Sequence, residues 1–402
     1  MIRTEAELHP PSVSLDKDIS WVLLAAFADQ YPQNARPATP ERALDLTRTL
    51  TLVAPVSSRV PAEKLREALS PDLARQLTQQ SFLELTRALA VQRARNVFCR
   101  AAMQCGVDVA LLKQAALETA MNVAPGRRFA TDVDVLVAPS DVPELERILL
   151  NLGCHRETKR THSDGVVVIR TSDGVGIELH SRILGLKIGA LRETADLETL
   201  RRHSQLRIVD PDQPQIHVPT AAVVAAQLVV QGWHLFHFVP NAPSHKSPMR
   251  VIADMLLLGL HKDVQLAEDV LRLIEHQVPE DEYRALGELA LALSRGDFDG
   301  MPPAAKRALD HALGALTNEE YRRSLLLGRQ KSTIQAEGLV SWTVRQMKRG
   351  VVPSDERLNH LVASGRVKNR LQARLLVPYE LSRDVLLGLG ASLLRRLRRQ
   401  RP

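Results

Sequence analysis

The stretch "RRFATDVDVLV", residues 127–137, sets two aspartates, Asp132 and Asp134, inside an otherwise apolar, β-branched run. Its period-two alternation predicts a strand over 132–137. Residues two apart on a strand share a face, so both carboxylates point one way while Val133, Val135 and Val137 point the other. Two carboxylates held that close repel, and one keeps its proton unless a cation intervenes. A divalent ion with oxygen ligands removes the conflict. Alone, the pattern also fits an ordinary solvated strand face, so the surrounding sequence has to decide.

The flanking segments read as a small α/β unit. "VDVALLK" (107–113) is a short apolar run. "SDVPELERILLNLG" (140–153) is a helix whose Leu145, Ile148, Leu149 and Leu152 share one face. "GVVVIRTSDGVGIELHSRI" (165–183) reads as two strands joined by a turn at Ser172, Asp173 and Gly174. Glu178 and His180 share a face of the second strand. If that strand lies beside 132–137, Glu178 becomes a third carboxylate over the same spot. Three acids on adjacent strands can hold two Mg²⁺ ions, which clamp the attacking and leaving oxygens of an in-line displacement at phosphorus.

The rest of the chain reads as helix. Thr39 before Pro40, and Ser70 before Pro71, look like N-caps, and 70–106 runs as one or two helices to a C-capping Gly106. The apolar stretch 220–238 is broken by Gln227, Gln231, His234 and His237, which fits a buried helix better than a membrane span. Thr317 and Glu320 have capping-box spacing. Pro-rich or polar linkers are expected at 209–219, 240–248 and 349–356. The expected class is α+β, mostly α. A mixed-sheet core at 106–210 follows an N-terminal helical region at 1–105. A helical domain at 211–350 and a basic tail at 351–402 complete it.

Composition narrows the alternatives. In 402 residues aromatics make up only 3%, which argues against base-stacking platforms. Much of the net charge of +7 lies in the last forty residues, which end in "LLRRLRRQRP", a solvated helix end or a weak contact for an anionic surface. Cys99, Cys105 and Cys154 form neither a disulfide framework nor a zinc motif, and the N-terminus lacks a secretory pattern. Together these predict a soluble, cytoplasmic protein. His234, His237 and His245 lack acidic or cysteine ligands at zinc spacing, and both the G-x-S-x-G elbow and the P-loop are missing.

Three blocks together carry a likeness. "ALLKQAAL" (110–117), "GRRFATDVDVLV" (126–137) and "GIELH" (176–180) resemble the bacterial nucleotidyltransferase family of the polymerase-beta-like superfamily. That family typically shows an L-L-K-G stretch, an R-x-x-x-D-h-D block and an h-E-h-H strand. "PMRVIADMLLL", with Arg250 and Asp254 one helical turn apart, looks like a later helix of the same family. The resemblance implies a Mg²⁺-dependent transferase moving a nucleoside monophosphate from a nucleoside triphosphate to an acceptor hydroxyl or phosphate. Asp132, Asp134 and Glu178 would be catalytic and metal-binding. Lys113, Gln114 and Arg128 would bind the nucleotide, with His180 supporting Glu178. The acceptor, whether small molecule, peptide, protein or RNA end, is not specified. One position departs: Gln114 stands where the family has glycine. It would either bond a phosphate or obstruct the pocket, and in the second case the chain is a nucleotide-binding scaffold without turnover.

Overall fold

The computed structural model describes residues 15–317 apart from 33–34, 129, 162–165, 184, 190 and 239–248. The basic tail, the Thr317/Glu320 capping box, His245 and the linkers at 240–248 and 349–356 lie outside the described residues, as does the His237 side chain. Among the described residues no helix is long and apolar enough to cross a membrane.

Helices α1 (Lys17–Phe27), α2 (Pro40–Thr49), α3 (Val53–Arg59), α4 (Ala62–Leu69) and α5 (Pro71–Cys105) precede the sheet. A real N-cap opens α1, where the Asp16 carboxylate accepts from the Asp18 and Ile19 amides. The two caps expected at Thr39 and Ser70 make no side-chain cap bond. Instead the Thr39 amide donates to the buried Asp18 carboxylate at 2.8 Å, and Ser70 turns the chain between α4 and α5 at φ +79°. Over its 35 residues α5 stays one helix, about 50 Å long. It ends at Gly106, whose φ of +65° lets its amide reach the Ala102 and Met103 carbonyls.

Next come β1 (Val109–Leu111), α6 (Lys113–Ala120), β2 (Asp132–Val137), α7 (Val142–Asn151), β3 (His155–Thr161), β4 (Val167–Arg170) and β5 (Gly176–His180). A short ribbon, β6 (Lys187–Ile188) and β7 (Glu193–Thr194), leads to α8 (Leu197–Arg202), β8 (Leu206–Ile208) and β9 (Ile216–Pro219). Seven strands form one mixed sheet in the order β3-β4-β5-β2-β1-β9-β8. β1 runs antiparallel to β2 and parallel to β9, while β2 runs parallel to β5. The expected hairpin at 167–180 forms as β4 and β5. The stretch 209–219, expected as a linker, contains β9. Pro211 and Pro214 precede the strand and Pro219 is its last residue, while Ile216 and Val218 are buried between β1 and β8. On α7, Leu145 and Leu149 are buried but Leu152, just past the helix end, is exposed.

Helices close the described chain: α9 (Ala221–Phe238), α10 (Met249–Leu257), α11 (Val264–Ile274), α12 (Glu280–Arg295) and α13 (Pro303–Thr317). The protein is therefore mostly α with a mixed seven-stranded sheet. One apolar cluster runs from Ile19 to Leu313. α5 packs against β2, β5 and β9, while α6 packs against β2, β9 and α9. Both acid-bearing strands are thus backed by rigid elements.

A Cβ at Gly106 meets nothing within 4 Å, so substitution there tests backbone strain alone. Gly106→Ala is expected to cost about 1 kcal/mol in urea denaturation, with Gly106→Asn closer to wild type.

Candidate active site

Parallel pairing of β2 with β5 puts Asp134 opposite Glu178, Asp132 opposite Gly176 and Leu136 opposite His180. The antiparallel partner β1 sets Leu111 opposite Val135, so the chain leaves β1 into α6 right beside Asp134. At that corner Lys113 adopts φ +46°, a left-handed conformation costing a non-glycine residue about 1 kcal/mol. Its ammonium lies 2.5 Å from Asp134 Oδ1. His180 Nε2 donates to the same oxygen at 3.0 Å and lies 3.6 Å from Glu178 Oε2. One ligand atom each from Asp134, Glu178 and His180 falls within 4.8 Å of the others.

The electrostatics follow from crowding and poor hydration. Burial, then the charges of Asp134 and Glu178, push the Asp132 carboxyl up to about 6. Burial would also raise Asp134, which is only 4% exposed, but the Lys113 charge and the His180 hydrogen bond outweigh it and hold that carboxyl well below the usual range. Hydrogen bonding to His180 keeps Glu178 low as well. Burial alone would discharge His180; the bonds to Asp134 and Glu178 prevail and lift the imidazole to about 9. At neutral pH the cluster thus holds an ionised Asp134 and Glu178, a charged His180, and an Asp132 that is easily protonated.

Two expected nucleotide contacts sit differently. Gln114 is buried in the first turn of α6, and its amide donates to Glu118 Oε1 at 2.8 Å. Arg95 on α5 pairs with the other Glu118 oxygen at 3.1 Å. The residue bent at the corner where a glycine was expected is therefore Lys113, while Gln114 lies along the helix. Arg128 is 7% exposed and grips Asp254 of α10 with a fork, Nε to Oδ1 at 2.7 Å and Nη2 to Oδ2 at 3.2 Å. Arg250, whose one-turn spacing from Asp254 suits an ordinary ion pair, comes only to 4.0 Å of it. Arg250 lies in the field of Asp254 first, and then of Asp132 and Asp134. Helical spacing pointed to the nearer arginine, and nothing in the sequence marks a contact across 126 positions.

Asp132, Asp134 and Glu178 suit a hard divalent cation, which takes oxygen ligands. Their mutual repulsion, visible in the raised Asp132 carboxyl, is the conflict such an ion relieves. The His180 nitrogen suits Mg²⁺ less well and fits better as a donor that orients the carboxylates. Lys113 and His180 meanwhile put positive charge on the oxygen an ion would use.

A model of a family described as uncharacterised nucleotidyltransferase matches residues 36–272. No curated protein sequence matches the chain. Among solved structures, the solution structure of the antibiotic-resistance factor ANT(2'')-Ia is similar over 48% of this chain and 91% of its own, at 14% identity and a TM-score of 0.32.

Breaking the Arg128–Asp254 pair strands a buried charge, so Asp254→Ala is expected to lose about 3–5 kcal/mol in chemical denaturation. Joint replacement by Met and Leu should recover most of that. The raised Asp132 carboxyl gives a second expectation. A folded-state value near 6 against about 3.8 unfolded means that stability is lost as pH rises from 4 to 6 and stays lost above. In metal-free protein, Asp132→Asn should gain about 1–3 kcal/mol relative to wild type between pH 4 and 7. A difference flat across that window would refute the cause given for the shift.

Proposed function

The chain belongs to the uncharacterised nucleotidyltransferase family, and from that premise we propose that it moves a nucleoside monophosphate from a nucleoside triphosphate to an acceptor hydroxyl or phosphate. The observation that carries the reading is the β2–β5 register, which sets Glu178 beside Asp134 and brings one ligand atom each of Asp134, Glu178 and His180 within 4.8 Å, a set that does not include Asp132. Asp132, Asp134 and Glu178 would hold Mg²⁺, in a pair of ions if all three acids are shared.

When bound, Mg²⁺ supplies charge neutralisation and Lewis acidity at the triphosphate. To hold the ion Asp132 would be deprotonated, and Asp134 would no longer depend on Lys113 as its counter-charge. Lys113 then has its ammonium available for phosphate oxygens. Glu178, kept ionised by His180, accepts the acceptor's proton. The acceptor oxygen bonds to the α-phosphorus, the bond from that phosphorus to the β-bridging oxygen breaks, and pyrophosphate leaves. Arg128, committed to Asp254, fixes the segment entering β2 and adds its charge at a distance. The Gln114 side chain, turned toward Glu118, leaves the corner at Lys113 clear. The helices before and after the sheet, α1–α5 and α9–α13, would wall the acceptor cleft.

A second reading rests on the two cations at Asp134. If Lys113 and His180 hold that oxygen against the metal, the chain binds nucleotide without turnover. It predicts thermal stabilisation by nucleoside triphosphate with no product.

The test is label transfer and pyrophosphate release from α-labelled nucleoside triphosphates with Mg²⁺. Asp134→Ala is expected to lower kcat/KM by about 10³-fold or more, since an ion-held charge worth several kcal/mol is lost. Equal signals from wild type and variant would end the catalytic claim.

A further inference from the structure

Arg95 is a charge on an apolar face. Ala88, Val91, Phe98 and Ala102 stand at helical spacing on the same side of α5, and all four are buried. A guanidinium on such a face needs an anion. It finds Glu118 of α6, and both side chains are largely buried. Arg95 Nη1 donates to Glu118 Oε2 at 3.1 Å and reaches Thr119 Oγ1 at 3.4 Å. The other Glu118 oxygen accepts from Gln114, one turn back in the same helix. A chain of polar contacts, Arg95 to Glu118 to Gln114, thus runs from α5 to the residue next to Lys113.

The Glu118 carboxylate dictates which way Gln114 faces. The amide nitrogen has to meet it, because the reverse orientation would set two acceptors against each other. Gln114 Oε1 is left buried with no donor among the described residues. An unpaired buried acceptor costs stability, so the placement calls for a role besides packing. Lys113 supplies one. Its backbone is left-handed, no side chain caps the first turn of α6, and its ammonium rides on a flexible stem. While Asp134 holds the ammonium, that bond offsets the strain. With a metal ion at Asp134 the bond is given up, and the corner needs other support. Upstream, the Leu112 amide donates to the Asp134 carbonyl at 3.0 Å. Downstream, the support comes through Gln114.

We propose that Arg95, acting through Glu118 and Gln114, is a positioning residue that keeps the Lys113 corner bent and its ammonium aimed at phosphate once Asp134 engages a metal ion. The inference rests on the transferase reading, which puts the triphosphate at that corner. It adds that α5, from the helical region before the sheet, takes part in holding the nucleotide. Because α5 also packs against β2 and β5, one rigid helix sets the acids and the lysine in a common frame.

The test is a double-mutant cycle on the binding of a non-hydrolysable nucleoside triphosphate with Mg²⁺, followed by calorimetry, so that no turnover is needed. Gln114→Met keeps the volume and leaves the Arg95–Glu118 pair in place, so the fold is retained. It is expected to raise the dissociation constant about tenfold where Lys113 is present, and less than about twofold in Lys113→Ala protein. Arg95→Lys keeps the charge but loses the planar group, and should raise it about threefold, again only where Lys113 is present. Equal losses with and without Lys113 overturn the proposal, since Gln114 would then touch the nucleotide itself or serve packing alone. Unchanged affinity in Gln114→Met or in Arg95→Lys overturns it too. In each of these cases a wild type that binds the nucleotide leaves the transferase reading standing. A wild type that binds none overturns that reading, and the proposal with it.

Discussion

Asp134 is the point on which the molecule turns. A carboxylate with so little access to water must find positive charge nearby or give up its ionisation. Lys113 and His180 both supply that charge at one oxygen, and Lys113 bends its backbone into an unfavourable conformation to do so. Strain of this kind persists where the surroundings over-determine a residue, and it collects at functional sites. The local cost is small beside that of an isolated buried charge.

The geometry depends on topology as much as on chemistry. β2 and β5 pair in parallel although α7, β3 and β4 lie between them in the chain. Because side chains alternate, a slip of one residue in that register would send Glu178 to the opposite face from Asp134. The valines on the far face of β2, all fully buried, fix the register by refusing exposure. The Arg128–Asp254 fork ties the segment entering β2 to α10, so the acid-bearing strand is pinned to the helices that follow the sheet.

Much of this was legible in the residues. Alternation in "DVDVLV" and "GIELH" identified both strands and their polar faces, and Gly106 marked the end of α5. What the letters hid were contacts between distant positions. Asp254 has two arginines within plausible reach, and only the folded chain shows the remote one taking both oxygens. β9 was hidden by the polar, proline-bearing sequence around it, although Ile216 and Val218 alternate correctly. Gln114 drew notice as a replacement for glycine, yet the bent residue is its neighbour. A side chain that rewards bending, through its bond to Asp134, can stand where backbone freedom alone would favour glycine.

β1 is only three residues long and is bonded on both sides, to β2 from within the core and to β9 from about a hundred residues further along. Until β9 arrives, one edge of β1 offers unpaired amides and carbonyls to any extended chain nearby, including another copy of itself. A fragment that stops before residue 216 would keep Asp132, Asp134 and Glu178 and still carry that open edge. The later segment therefore acts as a guard against self-association, and solubility during synthesis depends on how soon it docks.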